Sequence, residues 1–562
     1  MKTFWPLSKW GSTASGWLNV AAIVAVHGAS LIAMALTEIG LFGKTLFLLT
    51  WILLNCIWLV LLRRPAISAA LSLVLVAIAI VLSRFKFNIL WMNISFFDLL
   101  IIDPDTIAFL VSIFPDLRTS LLLAGVLAIP VMVLFWRFDR FRVRRASAGL
   151  VGAGSLLFAA GLSSAVPEQP WEPFQGVNHI SGFTRSGVLA VTELATRGWI
   201  DFDHKATDRL RAAPETCAPE EKPPHIILVL DEASFDISTV PGIKVPPNYQ
   251  DHFRSFDGKS RSLLVEGSGG PTWYTEYNVL TGLSVRSYGR FAYYVTRIAA
   301  GRVERGMPQA LRRCGYKTFT LYPAYGAFLS ARRFQQSAGV QRLIDSHEMK
   351  AGDVEPDHFY YDQAARLIEK ERDGKPLFVF AYTVANHFPW DNVYRGDLTP
   401  DWKPLGNPPE VDEYIRRQTM SARDYRDFIA RLKRDFPGER FLVVRFGDHQ
   451  PALAAKLLSP SLDDTAIARR VMAHDPRYYT TYYAIEPVNF SPKDMSSALD
   501  LLDAAYLPLA VQQAAGVPLD PSFAEQRKLL QRCSGLFYSC AGGAEARRFN
   551  RLLIDAGLIR GF

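Results

Sequence analysis

The 562-residue chain has only five cysteines, and none stands in CxxC spacing, so a zinc-finger scaffold has no ligand set to build on. It lacks a Lys/Arg-rich stripe interleaved with aromatics. Many of the basic residues behind its net charge of +8 cluster beside apolar runs, which argues against nucleic-acid binding. No internal repeat or low-complexity tract is present, which excludes solenoids and repeat arrays. Most of the long apolar runs lie before residue 167, so a membrane region followed by a soluble one is expected.

Five segments are long and apolar enough to span: about 16–37, 45–62, 66–83, 119–136 and 148–166. No small-residue cleavage pattern follows the first, which therefore reads as a retained helix. Lys2 and Lys9, then Arg63 and Arg64, then Arg137, Arg140, Arg142, Arg144 and Arg145 fall on one side if all five span. That side is cytoplasmic by the positive-inside rule, and the soluble part is extracytoplasmic. Segment 96–114 mixes Asp98, Asp103 and Pro104 with apolar residues; an interfacial or re-entrant piece and a plain outer loop are both open readings. Cys217, Cys314, Cys533 and Cys540 belong to the soluble part, where an even number is compatible with disulfides, and Cys533 with Cys540 would close a short loop.

The expected organisation is a transmembrane region over 1–166, a Pro- and Gly-rich connector over 167–222 with a helical stretch near 184–198, and a catalytic domain over 223–562. His225–Leu230 is the apolar run of a strand buried on both faces. Similar strands recur at Ser262–Val265, Thr318–Tyr322, Leu377–Tyr382, Phe441–Phe446 and Tyr479–Ile485, with helical patterns over 305–314, 360–371 and 420–434 between several of them. The alternation predicts an α/β domain with a mostly parallel sheet.

Ligands in such sheets bind beyond the carboxyl ends of the strands. The first strand ends on Asp231-Glu232, and Phe441–Phe446 runs into Gly447-Asp448-His449. Ser262–Val265 leads to Gly267-Ser268-Gly269-Gly270-Pro271-Thr272 at the expected start of a helix. A carboxylate, an Asp-His pair and a hydroxyl make a four-ligand site for one divalent ion, Zn²⁺ or Mn²⁺. Thr272 taken alone reads first as a helix N-cap, Asp231 competes with Glu232, and Thr275 competes with Thr272.

The segments Leu228–Glu232, Gly269–Tyr277, Asn386-His387-Phe388-Pro389 and Phe446–His449 resemble the sulfatase-type branch of the alkaline phosphatase superfamily. By architecture the chain is similar to lipoteichoic acid synthases, glucan phosphoglycerol transferases and phosphoethanolamine transferases. That resemblance implies an alkaline phosphatase/sulfatase-like fold. It makes Glu232, Asp448 and His449 metal ligands, Thr272 both ligand and nucleophile, and His387, with Asn386, the head-group contacts. It implies transfer of a phospholipid head group to a glycan or lipid acceptor outside the bacterial inner membrane, with a membrane-anchored phosphodiesterase or sulfatase-like hydrolase as the alternative. The segment Tyr322–Arg333 departs from the pattern: it has no His, Asp or Trp, and Arg332 or Arg333 is left to serve the head group.

Overall fold

The computed structural model describes residues 14–560 apart from 91, 101–106, 108–114, 140, 170–171, 208, 211–216, 218, 220 and 353. It divides into two compact units, Met1–Thr196 and Arg197–Phe562.

The first unit is helical: Ala14–Thr37, Gly40–Leu62, Pro65–Leu90, Pro115–Phe138, Arg145–Ala165 and His179–Arg197. Among the described residues four helices are long and apolar enough to cross a membrane, Asn19–Thr37, Gly40–Leu62, Pro65–Asn88 and Arg145–Ala165. Pro115–Phe138, which contains Pro130, covers the remaining expected span. Small residues let the helices approach closely. A Cβ on Gly152 would lie 2.9 Å from that of Cys56, and Ser155 donates to the Leu49 carbonyl at 2.7 Å. His179–Arg197 is tied down through its first turn, where the Glu38 carboxylate accepts from the Ile180 N–H at 3.0 Å and from the Ser181 hydroxyl. Of segment 96–114, Phe96–Leu100 forms a short 3₁₀ helix, while most of the remainder lies outside the described residues.

The second unit holds an eight-stranded sheet in the order β4-β3-β5-β1-β6-β7-β2-β8. The strands are β1 His225–Asp231, β2 Arg261–Leu264, β3 Lys317–Leu321, β4 Arg342–Ile344, β5 Leu377–Thr383, β6 Phe441–Gly447, β7 Thr480–Val488 and β8 Leu501–Asp503. β5, β1 and β6 run parallel at its centre, and β7 joins β6 and β2 antiparallel. Every residue of β1, β5 and β6 is buried, because helices cover the central strands on the face that carries Ile227 and Val229. Those covering helices include Asp357–Glu371 and Pro409–Asp435. β4 and β8, three residues each, were not expected; strands that short carry too few residues for a period-2 pattern to register. The cysteines pair as Cys217–Cys314 and Cys533–Cys540.

Since β2 is antiparallel to β7 and β7 to β6, β2 points the same way as β1 and β6. Their carboxyl ends therefore open onto one edge of the sheet.

Candidate active site

At the end of β1 the strand's alternation separates two adjacent acids. Asp231 has the same parity as Ile227 and Val229 and stays inside the fold. Its carboxylate meets His252 at 3.0 Å and accepts from the Tyr482 hydroxyl at 2.5 Å. Glu232 leaves the strand and turns to the edge. The next residue, Ala233, is held at φ 50°, a left-handed conformation costly for a residue with a Cβ. Its two backbone groups are both engaged: the N–H donates to Asp448 Oδ1 at 2.8 Å, and the carbonyl accepts from the Tyr414 hydroxyl at 2.9 Å. β6 approaches so closely that a Cβ on Gly447 would sit 1.8 Å from the Ser234 carbonyl oxygen. Only glycine fits there, and that contact sets the position of Asp448.

The Gly-rich turn delivers Thr272 to the same place. Thr272 opens the helix Thr272–Thr281 but does not cap it; Pro271 takes the N-cap position. This corrects the capping reading, because the chain turns into the helix one residue earlier and frees the hydroxyl. Thr272 Oγ1 lies 3.3 Å from Glu232 Oε2 and 3.5 Å from the Gly270 carbonyl. Thr275, one turn inside, is fully buried and donates to the Asp448 carbonyl at 2.6 Å. Its contact binds the helix to the β6 loop, and its hydroxyl is not offered to the edge.

Glu232, Asp448 and His449 bring one ligand atom each within 4.8 Å of one another. His449 Nε2 lies 3.4 Å from Glu232 Oε1 and 3.3 Å from Asp448 Oδ2. Its Nδ1 faces the Gln450 carbonyl at 2.9 Å, which assigns the proton to Nδ1 and leaves Nε2 as a lone pair. Asp448 Oδ2 and His449 Nε2 are buried without a hydrogen-bond partner. Buried polar atoms are almost always satisfied, and two such orphans facing each other at a carboxylate fit a cation. The donor set of two carboxylates, one imidazole and a hydroxyl suits a Zn²⁺- or Mn²⁺-type ion.

The electrostatics follow from crowding. Burial opposes ionisation of Glu232, but the neighbouring His449 imidazole outweighs it and holds that carboxyl below its ordinary range. Asp448 is pushed up, by burial first and by the Glu232 charge second. Burial also opposes charging of His449, yet the two carboxylates raise its pKa. Without a cation the cluster holds a proton against this negative charge.

His387 stands close enough for its charge to act on Glu232. Its Nδ1 contacts the Phe388 carbonyl at 2.7 Å, and its ring stacks on Phe388 at 4.6 Å. Asn386 is buried and donates to the Ala233 carbonyl at 3.4 Å, while its Oδ1 has no hydrogen-bond partner. Arg332 is engaged elsewhere: its guanidinium donates to the Leu343 carbonyl at 2.7 Å, to Asp345 at 2.7 Å and to Glu348 at 3.1 Å.

The sequence reading missed Ala233, Tyr414, Gly447, Gln450 and Glu266. Glu266 stands just before the Gly-rich turn and accepts from Asn278 at 2.8 Å, from the Val285 N–H at 2.6 Å and from the Ser284 hydroxyl, gripping the far end of the helix that begins at Thr272. Gly447, directly before an Asp-His pair at a strand end, was the one available signal; a Tyr in the middle of Pro409–Asp435 gives none.

Residues 261–481 match the family model described as Sulfatase. The chain is 29% identical over 285 residues to the capsular polysaccharide biosynthesis protein RkpI of Rhizobium meliloti (strain 1021), covering 48% of this chain and 50% of that protein. It spans about half the length of the curated relatives it matches, 50% and 51%. Among solved structures, the Streptococcus pyogenes phosphoglycerol transferase GacH in complex with sn-glycerol-1-phosphate aligns with TM-score 0.48 and 16% identity over 61% of this chain and 88% of that one. The lipooligosaccharide phosphoethanolamine transferase EptA of Neisseria meningitidis aligns with TM-score 0.42 and 11% identity over 89% of this chain and 95% of that one.

Proposed function

We propose that this chain, which carries a sulfatase-family domain after a set of apolar helices, transfers a phospholipid head group, phosphoethanolamine or phosphoglycerol, to a glycan or lipid acceptor through a phospho-threonine intermediate. The observation that carries the reading is the placement of Thr272 Oγ1 3.3 Å from Glu232, beside the orphaned Asp448 Oδ2 and His449 Nε2.

A divalent ion held by Glu232, Asp448, His449 and Thr272 would lower the pKa of the hydroxyl and polarise the phosphoryl oxygen. Thr272 Oγ1 attacks phosphorus; the Oγ1–P bond forms as the hydroxyl gives up its proton, the bond to the diacylglycerol oxygen breaks with its electron pair, and that oxygen takes up a proton. The positive end of the dipole of Thr272–Thr281 faces the phosphate charge. His387 binds the head group or carries the proton of the incoming acceptor hydroxyl, which then displaces Thr272. Asn386, whose Nδ2 holds the Ala233 carbonyl, ties the His387 loop to the turn after β1.

The apolar helices support a lipid donor in the bacterial inner membrane. Cys217–Cys314 and Cys533–Cys540 support an oxidising compartment, with the catalytic domain on the periplasmic side. A relative named for capsular polysaccharide biosynthesis supports a glycan acceptor. The test is intact-protein mass spectrometry after exposure to mixed phosphatidylethanolamine and phosphatidylglycerol vesicles. The expected result is a head-group phosphate adduct on Thr272, absent from Thr272→Ala, with a mass that identifies the group. An adduct on another residue, or none, overturns the reading.

A further inference from the structure

A cleft of about 510 Å³ is lined by Asp391, Glu410, Val411, Leu453, Lys456 and Leu457, within the ~300–1,000 Å³ typical of small-molecule sites. Part of its lining, Asp391 and Leu453 to Leu457, grows out of the active-site loops, and the rest, Pro408 to Val411, is the start of the helix Pro409–Asp435. Asp391 lies four residues beyond His387, on a loop that Arg417 holds by the carbonyls of His387 at 2.7 Å, Pro389 at 2.8 Å and Asn392 at 3.1 Å. Leu453, Lys456 and Leu457 lie on the helix Ala452–Leu458, which starts three residues beyond His449. That helix abuts the turn leading to Thr272: the Gly269 N–H donates to the Gln450 carbonyl at 3.1 Å, and a Cβ on Gly269 would stand 3.6 Å from Ala452.

We infer that this cleft is the acceptor subsite and that it takes a neutral sugar unit of a glycan, an inference that rests on the transfer reaction proposed above. Three observations converge on a sugar. The floor is apolar, from buried Val411 and half-buried Leu453 and Leu457, and offers the C–H face of a ring an apolar contact. The rim carries two exposed carboxylates, Asp391 and Glu410, which accept hydrogen bonds from hydroxyls. Lys456, also exposed, donates to the Leu462 carbonyl at 2.6 Å and keeps further N–H groups for a hydroxyl oxygen. Two acids against one base repel a second anion, so the lining disfavours the phosphodiester donor and uronate-rich glycans alike. The charged rim also separates the cleft from an acyl-chain site.

Binding tests this without turnover. The full chain in detergent is titrated calorimetrically with a neutral gluco-oligosaccharide, a matched oligouronate and a short-chain phosphatidylglycerol. We expect saturable binding of the neutral sugar, at least tenfold weaker binding of the uronate, and at least tenfold loss of sugar binding in Leu453→Trp. Glu410→Lys, an exposed change that leaves folding intact, narrows the preference for neutral over anionic sugar at least fivefold. In both variants the Thr272 adduct forms from donor lipid at a rate within twofold of wild type while passage to the sugar falls. Absence of sugar binding, unchanged binding in both variants, a preference for uronate, or loss of lipid binding in Leu453→Trp overturns the subsite. Absence of the adduct in wild type overturns the transfer reaction instead and leaves the binding result standing.

Discussion

The carboxyl ends of β1 and β6 and the carboxyl end of β3 face the same edge of the sheet and were both candidates for site residues, yet their side chains are in opposite states. At β1 and β6, Asp448 Oδ2 and His449 Nε2 are buried and unsatisfied. After β3, Arg332 has a carbonyl and two carboxylates around its guanidinium. A group whose hydrogen-bonding capacity is met by its own fold serves the fold. One buried without a partner costs roughly 1–3 kcal/mol and persists where something else completes it. The difference separates the candidate ligand set from the arginine, although both lie beyond the carboxyl ends of parallel strands.

The comparison breaks most severely at Thr272. Thr272→Ala is expected to drop head-group transfer to background with an unchanged circular dichroism spectrum; retained transfer would assign the nucleophile elsewhere. Asp448→Asn and His449→Ala should each lower transfer at least ~100-fold in steady-state assays, consistent with the loss of a first ligand where even outer partners cost 10–100-fold.

Much of this was legible in the sequence, and the boundary of what was legible is physical. The central strands announced themselves as continuous apolar runs because helices cover them; Glu232 and Asp448-His449 follow the ends of two of them, and Thr272 follows the Gly-rich turn after β2. Asp231 and Glu232 were not separable, since the choice depends on where β1 stops. Thr272 reads as a cap until the backbone places Pro271 there. Ala233 is invisible in sequence because its role rests on a left-handed φ, and Tyr414 because it reaches the site from a helix some 180 residues away.

Gly447→Ala sharpens the comparison one step back from the ligands. Its Cβ would meet the Ser234 carbonyl at 1.8 Å, so either β6 or the loop after β1 must shift. A loss of about 1–3 kcal/mol in chemical denaturation is expected, with transfer falling because Asp448 moves with the strand end. Thr275→Val removes the bond to the Asp448 carbonyl and should cost about 1 kcal/mol, with a smaller fall in rate. Arg332→Ala should do least. Its partners are partly exposed, so stability should change by about 0–1 kcal/mol and transfer by less than about threefold. A large loss of activity there would return Arg332 to the head group.

The claim beneath all of these is that Glu232 and the unsatisfied atoms of Asp448 and His449 form one divalent-cation centre. Metal content of the purified full-length chain, by inductively coupled plasma mass spectrometry, tests it most directly. The account predicts about one equivalent of a Zn²⁺- or Mn²⁺-type ion per chain, largely lost in Asp448→Asn and His449→Ala and kept in Arg332→Ala. Metal that survives both ligand substitutions, or a chain that takes up none when offered Zn²⁺ or Mn²⁺, would contradict it.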